Sequence, residues 1–161
     1  MDIASIIEPG RVLRNVEARS KKHALDILSE MIAGADDNLS QGQVFDSLIS
    51  REKVGCTAMA GGIAIPHGCI DGLERIIGAF VKLGEPVDYD TPDGGPVDLM
   101  FAVIMPDTPG TDRKACLRDI AGMFNDRSFL AMLRRAKSSR TLYDMITAQA
   151  AAEAPAKSAS A

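Results

Sequence analysis

The stretch "PVDLMFAVIMP", residues 96–106, constrains the chain more than any other segment. From Leu99 to Met105 every side chain is apolar. The run is too short to cross a bilayer as a helix. Bounded by prolines, it reads as a central β-strand buried on both faces. Such a strand requires apolar cover above and below, and the helical patterns on either side of it supply that cover. "KKHALDILSEMIAG" repeats apolar residues at Ala24, Leu25, Ile27, Leu28, Met31 and Ile32, with Gly34 as its stop. "LSQGQVFDSLISREKVG" predicts a second helix capped by Ser40 with Gln43 three residues later, its apolar face being Val44, Phe45, Leu48 and Ile49. "DRKACLRDIAGMF", "SFLAMLRRA" and "SSRTLYDMITAQAAA" return to the helical period after Pro106.

A second strand is expected in "RIIGAFVKL", and two brief extended pieces in "TAMAGGIAIP" around Gly61-Gly62. "GEPVDYDTPDGGP" is dense in Gly, Pro and Asp and reads as a loop, with room for a short edge strand. Together these imply an α/β fold: one compact domain over residues 1–150, a mixed central sheet with helices on both faces. The tail "EAPAKSASA" offers nothing to pack, and residues 151–161 are expected to be disordered.

Composition removes several functions. The chain has 18 Lys+Arg against 22 Asp+Glu, a formal charge of −4, and only 4% aromatic residues with no tryptophan. Neither the electrostatics nor the stacking platforms of a nucleic-acid binder are present. Cys56, Cys69 and Cys116 are odd in number, far apart and without a CxxC, and the N-terminus does not read as a signal peptide. A cytoplasmic location, with no insertion into a membrane, is the simplest expectation.

Only two histidines occur, His23 and His67. His23 falls within a helical pattern, whereas His67 follows "IAIP" directly and precedes Gly68. Pro66 pushes Ile65 towards an extended conformation and Gly68 can take a positive φ, so the segment reads as a short strand entering a sharp turn at His67. It is either an ordinary bend holding a hydrogen-bonded imidazole or a device to present one. No compact His/Cys/Asp/Glu set suggests a metal, no G-x-S-x-G elbow suggests a serine hydrolase, and no cofactor is implied. What remains is a histidine nucleophile, and the electrophile that suits it is a phosphoryl group, which needs positive charge and hydrogen-bond donors around its oxygens. Arg51, at a helix end, and Arg113, at a helix start after the long strand, are candidate cations. Each also reads as an ordinary surface arginine. Gly61-Gly62 either admits backbone amides to an oxyanion or forms a turn.

"SREKVGCTAMAGGIAIPHG" closely resembles the signature of type-2 IIA components of the phosphoenolpyruvate-dependent phosphotransferase system, the fructose/mannitol class. The resemblance covers roughly residues 1–150, and its length and "PVDLMFAVIMP" look most like the stand-alone nitrogen-regulatory type. It implies that His67 carries a phosphoryl group, with Arg51 as the active-site arginine and Glu52 beside it; Arg113 and Gly62 remain supporting candidates. The implied donor is an HPr-like phosphocarrier, and the implied partners are a regulated transporter or a sensor kinase, or, in sugar uptake, a IIB protein. Two departures stand out. The family's second histidine, after the long strand, is matched by Arg113 or a neighbour in "RKACLRDI", and Cys56 stands where a Ser or Thr hydroxyl is usual. A binding module that has lost phosphotransfer is therefore the alternative to a phosphoryl carrier.

Overall fold

The computed structural model describes residues 2–159, with side chains through Glu153. Two 3-10 turns, Ile3–Ile6 and Pro9–Arg11, lead into strand β1 (Val12–Val16) and helices α1 (Lys21–Ala33) and α2 (Gln41–Val54). Strands β2 (Ala58–Met59), β3 (Ile63–Ala64), β4 (His67–Ile70), β5 (Ile77–Val87) and β6 (Val97–Pro106) follow. Helices α3 (Arg113–Phe124), α4 (Arg127–Arg135) and α5 (Ser139–Ala159) complete the chain.

The sheet order is β1-β5-β6-β3-β2, with β4 also pairing β6. It is mixed: β5 runs antiparallel to β6, while β1 is parallel to β5 and β3 and β4 are parallel to β6. The apolar run behaves as its pattern predicts, since Leu99 through Met105 are all buried. Strand geometry then divides the run by parity. Leu99, Phe101, Val103 and Met105 pack on one face with Ile120, Phe124, Leu130, Leu133, Leu142 and Ile146. Met100, Ala102 and Ile104 pack on the other with Leu25, Leu28, Ile32, Val44 and Leu48. Phe124 anchors the first face, its ring 5.8 Å from Phe80, 5.6 Å from Phe101 and 6.0 Å from Phe129. Each such side chain removed from water contributes about 1.5–3 kcal/mol.

Both N-terminal helices begin as expected. Ser20 accepts from the His23 amide, and Ser40 and Gln43 form a reciprocal capping box. Strand β5 extends further than its sequence suggests, into the Gly/Pro-rich segment, because Val87 pairs with Val97 and both are buried. The backbone of α5 is helical to Ala159; Ser160 and Ala161, the end of the expected tail, lie outside the described residues.

One flank of β6 is completed by two short strands in succession. β3 pairs with Leu99 and Met100, and β4 pairs with Val103 to Pro106. The break falls at Ile65-Pro66, where proline has no N–H to give a ladder. Its carbonyl still accepts from the Val103 amide at 3.0 Å. The expected sharp turn at His67 is not formed: His67 opens β4, and Gly68 is not among the glycines with positive φ. Those are Gly61, Gly62, Gly72 and Gly94. Gly68 is needed for a different reason. A Cβ there would stand 2.1 Å from Ser47 Oγ and 3.0 Å from the Ser47 carbonyl carbon, so only glycine lets α2 lie this close to β4. Ser47 Oγ donates to the Cys69 carbonyl across the same contact, at 3.1 Å. Gly68→Ala is accordingly expected to destabilise the fold by about 1–3 kcal/mol through overpacking. Urea unfolding measures this, and an unchanged midpoint would mean that α2 does not rest on β4 as described.

Candidate functional site

His67 is placed by three local constraints: the Pro66 break before it, its pairing with Val103, and the close seat of α2 on Gly68. Its ring is half-buried, and Nδ1 lies 2.8 Å from the Ile65 carbonyl oxygen. A carbonyl only accepts, so Nδ1 carries the proton and donates. The neutral ring therefore has its lone pair at Nε2. Burial pushes the His67 pKa below 6.5; the bond to Ile65 opposes this, the charge on Arg51 adds to it, and that on Glu52 opposes it. The site thus favours an uncharged imidazole with one defined nucleophilic nitrogen.

Arg51 lies on α2 one turn beyond Ser47, hence on the same side of the helix. It is half-buried, and its Nη1 donates to the Gly55 carbonyl at 2.9 Å, closing the end of its own helix. That bond leaves the other guanidinium donors available. Glu52, the next residue, points inward and is buried. Its Oε1 accepts from the Thr57 amide at 2.9 Å and its Oε2 from Thr57 Oγ1 at 2.6 Å, while Lys21 Nζ stands 3.1 Å from Oε1. Tyr89 is completely buried against Thr57, with the two hydroxyl oxygens 3.1 Å apart. Because Thr57 Oγ1 donates to Glu52, the Tyr89 hydroxyl is the donor in that contact. Burial, followed by the Glu52 charge, pushes the Tyr89 pKa upward and keeps it a hydroxyl. Cys56 Sγ faces the Tyr89 carbonyl at 3.8 Å.

Among the described residues, neither Arg113 nor Gly62 is hydrogen-bonded to this cluster. Arg113 opens α3, and its Nη1 pairs with Asp107 Oδ1 at 3.0 Å. The Asp107 amide bonds to the carbonyl of Ile70, at the end of β4 opposite His67. Gly61 and Gly62 form the β2–β3 turn, where φ values of 101° and 80° suit glycine. Arg134 braces that turn, its Nη2 donating to the Gly61 carbonyl and to Asp98 Oδ1, and its Nε to Asp98 Oδ2 at 2.9 Å. His23 caps α1, its Nδ1 accepting from the Arg19 amide. Among the described residues no group of three or more His, Cys, Asp and Glu side chains is arranged to hold a metal ion. No described helix is long and apolar enough to cross a membrane.

Lys21, Thr57, Tyr89 and Arg134 are missed by sequence reasoning. Lys21 alone left a trace. A cation in the first turn of a helix opposes the helix dipole, so its presence there asks for a carboxylate partner. Arg134 and Asp98 are 36 positions apart, and nothing in the sequence joins them.

Comparison with known proteins gives a consistent answer. The family described as "Phosphoenolpyruvate-dependent sugar phosphotransferase system, EIIA 2" matches residues 5–149. A nitrogen regulatory protein of Bradyrhizobium diazoefficiens is 36% identical over 148 residues, covering 91% of this chain and 95% of the relative. Another, from Pseudomonas aeruginosa, is 35% identical over 144 residues, covering 89% and 94%. The crystal structure of nitrogen regulatory protein IIA-Ntr from Neisseria meningitidis superposes with a TM-score of 0.83 at 32% identity, covering 90% of this chain and 99% of that one. The Escherichia coli IIA mannitol structure shares the fold at 15% identity, with a TM-score of 0.71 and coverage of 89% and 98%. A His67 ring with its lone pair at Nε2, on a fold shared with these proteins, thus sits in a chain that belongs to the EIIA type-2 family of the phosphoenolpyruvate-dependent sugar phosphotransferase system.

Proposed function

We propose that this chain is a phosphoryl carrier in which His67 Nε2 accepts the phosphoryl group from the phosphohistidine of an HPr-like protein. The observation that carries this reading is the bond from His67 Nδ1 to the Ile65 carbonyl, which leaves Nε2 as the nucleophile. In the transfer the P–N bond of the donor breaks and its electron pair returns to the donor imidazole. A new P–N bond forms from the Nε2 lone pair of His67. Positive charge develops on the accepting ring, and the Ile65 carbonyl, fixed at Nδ1–H, stabilises it. Arg51 supplies planar, charge-assisted donors to the phosphoryl oxygens. The step needs no metal ion and no water.

Val54 is 82% exposed at the end of α2, three residues from Arg51. An apolar side chain so fully in water beside the site suits docking of a protein donor. Regulation of nitrogen- or potassium-related partners, a transporter or a sensor kinase, is the downstream role proposed. Relatives 35–36% identical over about nine-tenths of the chain are nitrogen regulatory proteins, which favours it over delivery to a IIB protein for sugar uptake. Only one histidine is in place for transfer, since "RKACLRDI", where the family often has a second, contains none, and its Arg113 is paired with Asp107.

Incubation with phosphoenolpyruvate, the first enzyme of the chain and an HPr-like carrier should add one acid-labile phosphoryl group by intact mass. His67→Ala should add none. Equal labelling of the two proteins would contradict the assignment. Arg51→Lys keeps the charge but loses the fork, and should slow transfer by about ten-fold, equivalent to about 1.4 kcal/mol. Arg113→Ala, which breaks only the pair with Asp107, should transfer at close to the parental rate.

The His67 pKa has a consequence for stability. The unfolded chain takes up a proton near pH 6.5 and the folded chain only at lower pH. Between those values the unfolded state binds more protons, so this residue lowers stability as pH falls and restores it as pH rises. NMR titration of the His67 ring should therefore give a midpoint below 6.5. A midpoint above 6.5 would contradict the burial described.

A further inference from the structure

We propose that Lys21 and Glu52 are positioning residues for the His67 imidazole, acting through an unbroken series of polar contacts, an ion pair followed by hydrogen bonds, from helix α1 to the ring. This rests on the carrier role of His67 but concerns residues that do not touch the phosphoryl group. The series begins at Lys21 Nζ, 3.1 Å from Glu52 Oε1, which also accepts from the Thr57 amide at 2.9 Å. Thr57 Oγ1 donates to Glu52 Oε2 at 2.6 Å, so the threonine is held at both its nitrogen and its hydroxyl. Its carbonyl in turn accepts from the Ile65 amide at 3.1 Å. The Ile65 carbonyl is the group that accepts from His67 Nδ1, at 2.8 Å. Each residue of the series is thus fixed on two sides, and a displaced carboxylate at Glu52 is passed on to the oxygen that selects the histidine tautomer.

Burial makes the series stiff. The Glu52 side chain is 2% exposed and that of Lys21 17%. Lys21 has no freedom to release the carboxylate cheaply. Its ammonium also lies 4.2 Å from the centre of the Tyr89 ring and donates to the Tyr89 carbonyl at 3.3 Å. The Tyr89 hydroxyl closes the arrangement on Thr57 Oγ1. Two elements remote from His67 in sequence, the start of α1 and the loop after β5, thereby hold the chain between Arg51 and the histidine. The position of Lys21 supports a dedicated role, because the first turn of a helix is the unfavourable end for a cation. What retains it there is the buried carboxylate opposite. The cost of burying that carboxylate is compensated only by these contacts, so the pair specifies one geometry for the segment rather than adding bulk stability.

The test compares the full-length protein with Lys21→Met, Lys21→Arg and the double variant Lys21→Met/Glu52→Gln. The double variant removes both charges together, so it folds even if Lys21→Met alone, with its stranded carboxylate, does not. Two readouts are used: the 15N spectrum of the His67 ring, which reports which nitrogen is protonated, and the single-turnover rate of transfer from a phosphorylated HPr-like carrier. In the parental protein the ring should be protonated at Nδ1. In the double variant this preference should weaken, and transfer at saturating carrier should slow by about ten-fold with no change in the carrier concentration needed for half-saturation. Lys21→Arg, which preserves the ion pair, should keep both readouts near parental values. A folded double variant with the parental ring spectrum and the parental rate would overturn the proposal. Failure of the parental protein to accept a phosphoryl group would instead overturn the carrier role, and the ring spectra would still decide the positioning role.

Discussion

Burial of β6 on both faces is the constraint from which the rest of the structure follows. A strand with Leu99 to Met105 inaccessible to water needs helices on both sides and hydrogen-bonding partners along both edges. β5 supplies one edge over its length. The other is supplied in two pieces, and the proline between them is tolerated because β6 is already paired on its far side. That interruption is what brings His67 to the start of a strand, with the Ile65 carbonyl turned towards its ring. The core thus sets the position of the imidazole to within the small freedom of one side chain.

Around that ring the electrostatics divide into an open part and a closed part. Arg51 keeps donors available, whereas Glu52, its neighbour in sequence, is turned inward and fully engaged. Adjacent helical residues point about 100° apart, so one helix end serves both purposes. The closing bond from Arg51 to the Gly55 carbonyl also holds the guanidinium in place, which limits the side-chain entropy it has left to lose in any further contact.

Much of this was legible in the residues. Strand β6, the capped starts of α1 and α2, and the setting of His67 after a proline all follow from local rules, because each depends on side chains within a few positions of one another. The expected turn at Gly68 failed for an instructive reason. A glycine permits both a positive φ and a close approach of another backbone, and only the second applies here, through Ser47 on a helix 21 positions earlier. The Arg134–Asp98 fork was illegible for the same reason, and at Lys21 only the need for a carboxylate could be read, not that Glu52 meets it: these are contacts between elements, set by the crossing of helices over the sheet. Arg113 illustrates the converse. Its charge and its position after β6 are plain in the sequence, and its partner Asp107, six residues before it, is a neighbour in the chain. The family resemblance points to His67 and Arg51, but it carries no information on which imidazole nitrogen is free.

The central claim is that the fold, through the Ile65 carbonyl, leaves His67 Nε2 as the phosphoryl acceptor. The most direct test is the 15N–31P coupling pattern of the phosphorylated protein carrying 15N-labelled histidine. Phosphorus bonded to Nε2 of His67, with Nδ1 still protonated, is the predicted result. Phosphorus on Nδ1 of His67, or on His23, would contradict it.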